Sequence, residues 1–455
     1  MMRVFPGQAT RQFFKVDTMN KTTQSALPLV AAILLASCGG GSGSDTMAQS
    51  SATRAATAPA DPAPGTDSAP APAADASAAQ QQTTTASGGG ASLAAEAVAP
   101  AKTPLRTGGT VHNLLANWTG KGFHLLSTAP PAPVHGKSSH AGSVWDDARQ
   151  TMWIFGAETH KYAMDNAVYG WRASDGLFVK HYDADPSSGY RMDAQGIYWS
   201  SAAKIRPWAM HTYRRMRMVP GTDEFEVVYD PHEHAGMTPL VYENPAHTTA
   251  NRAPAMWYYN VVTGTWRHRS FGSSVKLVRA SYTYPVGFDP VHGWFTGDGS
   301  TWQRLSLNGT YSTASVSGKS NGQYHSYMFV KDGVAYRVGG NSTTTLYSRH
   351  PLSNITLSKK FFVADFPQLA GYTVNNMASA MMSDGRIVIF PTKGSETHAM
   401  ILDPATNTLM PTGHFFTGMD KPTLYELAAE WSPSHNAVIL LSRRFSASRV
   451  YAYRP

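Results

Sequence analysis

The sequence predicts an all-β head built from repeated four-stranded hairpin units, and three observations carry that prediction. Helical periodicity is nearly absent after Arg106, and short alternating apolar stretches recur in its place. Turns rich in Asp, Gly and Asn separate those stretches. Charged residues make up 15% of the 455-residue chain and aromatics 11%, a balance that suits short strands better than salt-bridged surface helices.

The first unit runs through 139–145, a turn at Asp146-Asp147 and 151–156, then 167–171, a turn at Ser174-Asp175-Gly176 and 177–179. The same grammar returns at 324–330, where Lys331-Asp332-Gly333 turns the chain into 334–340. It returns again at 377–382 with Ser383-Asp384-Gly385, and at 399–402 with the turn 403–407. An outer pair joins 257–260 to 263–266. Asp-Gly between alternating strands is a hairpin signal. Units of roughly 40 to 50 residues, each a pair of hairpins, are the repeat of a β-propeller.

Repeat starts near His140, His211, Ala280, His325, Met377 and Glu426 give six blades, or seven if the stretch Asp183 to Pro207 holds another. The last unit, Ala428 to Tyr453, is short of an outer strand, and the stretch from Asn117 to Leu126 is expected to supply it. Closing the ring with an N-terminal strand removes exposed sheet edges. In this repeat grammar the head resembles kelch-type propellers.

Ahead of the head, Lys21 precedes the apolar run Ala26 to Leu35, and Leu35-Ala36-Ser37-Cys38 follows. A charged start, a short apolar stretch and small residues before a cut describe a signal segment, 1–38. The Leu-Ala-Ser-Cys form resembles the lipobox of bacterial lipoproteins. That resemblance implies acylation of Cys38, cleavage before it, and a membrane held through its lipid. Residue 39 is Gly rather than the Asp that retains such proteins at the inner membrane, which implies an exported outer-membrane lipoprotein, on its periplasmic or surface face. Residues 39–105 are almost entirely Gly, Ala, Pro, Ser, Thr and Gln, too poor in apolar side chains to offset ordering entropy. We read them as a disordered tether with a reach of roughly 45 Å, and 106–455 as the propeller domain.

Signal and tether carry six basic and six acidic side chains, so the whole net charge of +8 lies on the head. A basic head favours anionic partners. Export argues against nucleic acid, and an acidic polysaccharide fits better; nothing in the chain suggests a nucleotide cofactor. Cys38 is the only cysteine. Intramolecular disulfides and thiolate metal clusters are therefore excluded, as are propeller copper oxidases that need a Cys–Tyr crosslink.

Two local patterns stand out. The segment Thr296 to Trp302 is similar to a sialidase Asp-box but one residue short. The tract Lys204 to Met218 carries Lys204, Arg206, Arg214, Arg215 and Arg217, which a solvated strand face accounts for in most part.

In a propeller the first strand of each blade lines the central channel, so His140, His211, His325 and Glu426 come to similar heights on one axis. A water-lined channel and a metal site of imidazoles with a carboxylate both remain open. A third reading is catalytic. The order His140, His160, Tyr198, Arg214, with its spacing, resembles propeller polysaccharide lyases of the ulvan lyase type, although that family has seven blades. The resemblance implies β-elimination on a uronate. Arg214 would neutralise the carboxylate and acidify the C5 proton. Tyr198 or His140 would take that proton, and one of them would return a proton to the leaving oxygen. His160 or His211 would orient the base or bind the carboxylate, and His325 and Glu426 would complete the substrate contacts. Such a lyase requires no cofactor.

The competing functions are a non-catalytic cell-envelope propeller that binds glycan or protein, and a glycoside hydrolase. The hydrolase needs two carboxylates about 5 to 10 Å apart, for which Glu426, Glu430, Asp193 and Glu158 are the available residues.

Overall fold

A computed structural model of the chain describes residues 103–104, 114–116, 118–128, 141–156, 164–229, 241–246, 253, 255–271, 285–297, 301–316, 325–417, 427–442 and 449–455. Cys38, the tether apart from Thr103 and Pro104, His140, Glu158, His160, Ala280 and Glu426 lie outside the described residues. Among those described there is no α-helix, only strands and short 3-10 turns, and no helix is long and apolar enough to cross a membrane.

The chain forms β1 (Thr103–Pro104), β2 (Gly122–Thr128), β3 (Gly142–Asp146), β4 (Thr151–Phe155), β5 (Tyr169–Arg172) and β6 (Phe178–Lys180). Strands β3 to β6, with β1 on the outer edge, make the first antiparallel sheet. Next come β7 (Arg191–Met192), β8 (Tyr198–Trp199), β9 (Met216–Met218), β10 (Glu224–Tyr229), β11 (Val241–Tyr242), β12 (Ala255–Asn260) and β13 (Thr265–Ser270). The second sheet is β9-β10-β12-β13, while β7, β8 and β11 form a small sheet in which β11 runs parallel to β7.

The third sheet holds β14 (Gly287–Asp289), β15 (Gly293–Gly297), β16 (Thr301–Leu305) and β17 (Tyr311–Ser315). The fourth holds β18 (Ser326–Lys331), β19 (Val334–Gly339), β20 (Thr345–Pro351) and β21 (Lys359–Phe362). The fifth holds β22 (Thr373–Met381), β23 (Ile387–Lys393), β24 (Glu396–Asp403) and β25 (Thr408–Phe416). In the sixth, β26 (Leu427–Ser432), β27 (Ala437–Ser442) and β28 (Arg449–Arg454) are completed by β2, which pairs antiparallel with β28. The outer strand expected from the stretch ahead of the first unit is therefore present.

Local sequence explains the hairpins. Lys331 pairs with Val334 across a two-residue loop in which Asp332 and Gly333 have φ of 50° and 72°. Two left-handed residues in a two-residue loop are the geometry that matches strand twist, and Asp-Gly tolerates it best. At the second sheet, Asn260 Oδ1 accepts from the amides of Val262 and Thr263 and so fixes the turn into β13.

Apolar side chains pack between neighbouring sheets. One cluster joins Trp153 of the first sheet to Phe225 of the second and Ile439 of the sixth. Others join the second to the third, the third to the fourth, and the fourth to the fifth. A further cluster joins the fourth and fifth to the sixth. Polar clasps follow the same order. Asp147 accepts from Trp145 Nε1 at 2.8 Å and from Ser432 and Ser434 of the sixth sheet. Arg149 bridges Asp146 to Asp223 at the second sheet. This all-β arrangement of four-stranded antiparallel sheets is consistent with a β-propeller.

Candidate functional site

A cavity of about 500 Å³ is lined by the first strands of the six larger antiparallel sheets, with Val144, Met216, Phe288, Met328, Met381 and Glu430 each from a different one, and by Arg214. Arg214, two residues before β9, forms a salt bridge with Glu430 on β26. Ser143 Oγ donates to the same Glu430 carboxylate at 2.9 Å. The Arg214 guanidinium lies 4.3 Å above the Tyr327 ring, a cation–π contact. Arg214 and Glu430 thus meet in a cavity that Arg217 and Lys331 also line and that is otherwise rich in Met and aromatic side chains.

The chain entering Arg214 carries further polar groups that are not among the cavity's lining residues. His211 and Tyr213 are buried, with ring centroids 5.5 Å apart, and Tyr213 lies 5.0 Å from the ring of His325. His325 Nδ1 donates to Asn376 Oδ1 at 3.3 Å. Tyr213, His325 and Asn376 all have positive φ, 39°, 56° and 55°. Left-handed backbone is uncommon outside glycine, and where it persists the surrounding structure enforces it. Two of the three residues stand just before the first strands of their sheets, and Asn376 lies where the β22–β23 register shifts.

Gly156 makes room for this segment. Its φ is +86°, and a Cβ there would fall 1.7 Å from Thr212 Oγ1. Only glycine lets the end of β4 pass so close to the turn that aims Tyr213 and Arg214.

The expected site residues are distributed as follows. Arg214 lines the cavity, whereas His211 and His325 pack against Tyr213 and are not among its lining residues. Tyr198, on β8, is 1% exposed and stacks on Trp208 with centroids 4.6 Å apart. It shares an apolar cluster with Tyr190, Trp257 and Met210. Trp208 and Met210 belong to the segment that continues to His211 and Arg214, so the long loop before Pro207 does return Tyr198 to that segment. His140, His160 and Glu426 lie outside the described residues.

Of the carboxylates weighed for hydrolysis, Asp193 is absorbed by its own turn. It accepts from the amides of Gln195 and Ile197 and from Trp199 Nε1. Glu430 is engaged by Arg214 and Ser143. Among the described residues, no three His, Cys, Asp or Glu side chains are grouped to hold a metal ion. The basic tract is largely paired: Lys204 with Glu243 at 2.9 Å, Arg206 with Asp185 at 3.0 Å, Arg217 with Glu226. Burial lifts the Glu226 carboxyl above its ordinary range despite Arg217.

Fold and cavity together define an all-β protein whose sheets present their first strands to a common polar site. No family profile matches the chain, and no curated protein matches it. A structural-genomics protein of unknown function from Bacteroides thetaiotaomicron is similar over 73% of this chain and 76% of its own, with 9% identity and a TM-score of 0.40.

Proposed function

We propose that the six larger antiparallel sheets are blades of a closed propeller, and that this propeller is a polysaccharide lyase acting on an anionic, uronate-containing glycan. Two features support the ring: the cavity takes a wall from the first strand of each of these sheets, and the sixth sheet packs on and is clasped to the first. The lipobox-like Cys38 and the composition of 39–105 support an exported, outer-membrane lipoprotein with its head on a tether.

The observation that carries the lyase reading is a cavity-lining Arg214 that directly follows Tyr213 of the His211–Tyr213–His325 row. In this reading Arg214 turns from Glu430 to the substrate carboxylate by a bidentate contact and makes the C5 proton more acidic. An imidazole or phenol of the row takes that proton. The electron pair left on C5 forms the C4–C5 double bond as the glycosidic C4–O bond breaks, and the departing oxygen is protonated by a neighbouring acid. His140, His160 and Tyr198 are the partners that the resemblance supplies. Tyr213 is a further phenol, held between two imidazoles.

The Arg214–Glu430 bridge favours a second reading, in which the head binds glycan or protein without cleaving it, because the cation is already neutralised. Incubation with acidic polysaccharides, followed by ultraviolet absorbance of the unsaturated uronate, tests the first reading. Absorbance that grows with time and disappears in Arg214→Ala is the expected result. Reducing ends without absorbance would mean hydrolysis, and binding without either product would leave the non-catalytic reading.

A further inference from the structure

The near-Asp-box segment leads to a second pocket. A cavity of about 270 Å³ lies between the third and fourth sheets, and none of its lining residues lines the larger cavity. Its apolar wall is made by Phe295, Trp302, Leu352 and Ile355, and its polar rim includes Arg304, Ser312 and Asn354.

Two of these side chains are not satisfied by the fold. Trp302 is 2% exposed, and its buried Nε1 has no hydrogen-bond partner among the described residues. The nearby His350, 4.2 Å away ring to ring, commits both ring nitrogens to Ser348 and Ser358. A buried N–H without an acceptor is costly and calls for an explanation. Arg304 uses Nε on the carbonyl of His292 at 2.8 Å and lies 5.9 Å from the Phe295 ring. No carboxylate pairs with it among the described residues, unlike Arg206, Arg214 and Arg217. Its Nη groups are therefore uncommitted at the pocket rim.

We propose that this pocket binds one acidic sugar residue, its apolar ring face on Trp302 and its carboxylate on Arg304. The volume lies just under the usual range for whole-ligand pockets, which suits a single ring and not an oligosaccharide. Arg supplies the planar, bidentate geometry that a carboxylate needs. Hydroxyl and amide groups of Ser312 and Asn354 on the rim match sugar hydroxyls. The site would hold a glycan chain apart from the larger cavity, and it does not depend on cleavage occurring there.

The test is a calorimetric titration of the full chain with D-glucuronate, D-glucose and acetate as probes. It is repeated in Arg304→Ala, in Ala314→Trp, which fills the pocket, and in Arg214→Ala, which disables the cation of the larger cavity. Thermal melting verifies that each variant is folded. Because Arg214 is itself proposed to bind a uronate, each comparison is made in the Arg214→Ala background, where glucuronate is expected still to bind. Its affinity should fall at least about tenfold in Arg304→Ala, the loss of one charge-assisted contact, and comparably in Ala314→Trp. Several results overturn the proposal: no glucuronate binding to Arg214→Ala, glucose or acetate binding it as tightly, or binding in that background that survives both Arg304→Ala and Ala314→Trp. Loss in Arg214→Ala alone would place the sugar in the larger cavity instead.

Discussion

Arg214 and Glu430, 216 positions apart in sequence, form a salt bridge in the larger cavity. Their side chains are 17% and 13% exposed, so the pair is mostly but not wholly withdrawn from water. Removing one partner strands the other's charge. Glu430→Gln and Arg214→Ala should each lower unfolding free energy by about 1–3 kcal/mol, below the cost for a fully buried pair. The double variant should lose less than the sum, because neither charge is then stranded. Urea denaturation of the four proteins measures this coupling.

Asp147 ties the first sheet to the sixth. Burial pushes its carboxyl up, but hydrogen bonds from Trp145, Ser432 and Ser434 outweigh that and hold the pKa below its ordinary value. A carboxylate depressed in the fold stabilises above its unfolded pKa and loses that contribution as pH falls through the folded one. Asp147→Asn should therefore melt earlier than wild type at neutral pH, and the gap should close below about pH 4. Melting curves between pH 3 and 7 check both limbs.

His350 works in the opposite region. Burial, helped by the Arg337 charge, pushes its pKa down to about 3. The unfolded chain takes up that proton near pH 6.5 while the fold refuses it, so stability drains away as pH falls from about 6.5 toward 3, by up to ~4 kcal/mol. His350→Gln should flatten this part of the pH profile. An unchanged slope in denaturation midpoints would mean the ring is protonated in the folded protein.

Gly156→Ala should be severe for a residue with no side chain to lose. The new Cβ meets Thr212 Oγ1 and the Met210 carbonyl at a left-handed φ, so the cost should reach at least ~2 kcal/mol. The change should also disturb the segment that carries Tyr213 and Arg214. Loss of glycan binding or turnover in a variant that still folds, measured beside its melting curve, is the expected signature.

What the sequence disclosed was mostly local. Asp332-Gly333 announced its hairpin because only certain residues accept two left-handed positions in a row. The missing outer strand was legible from a counting argument and appears as β2, whose Phe123 ring packs 4.5 Å from Phe416 and 4.8 Å from Tyr453. His325 falls one residue before β18, near the repeat start read from the sequence. Tyr213 and Asn376 were not legible, since tertiary packing imposes their positive φ and no propensity of Tyr suggests it. Glu430 was noticed only as one acid among four. Its partner is set by which strands face the larger cavity, a relation invisible along the chain. Trp208 conceals the environment of Tyr198 for the same reason: a stacking partner ten positions away carries no periodic signal.

The most direct test of the central claim is a crystal structure of the Arg214→Lys variant and of wild type, each soaked with a uronate-containing oligosaccharide. In wild type the ligand is expected in the cavity that Arg214 lines, its carboxylate bound bidentately by Arg214 in place of Glu430. The Arg214→Lys variant should hold the same sugar through a single-point ammonium contact, with weaker occupancy. An oligosaccharide seated only on the outer faces of the sheets, with the Arg214–Glu430 bridge intact, would contradict the claim.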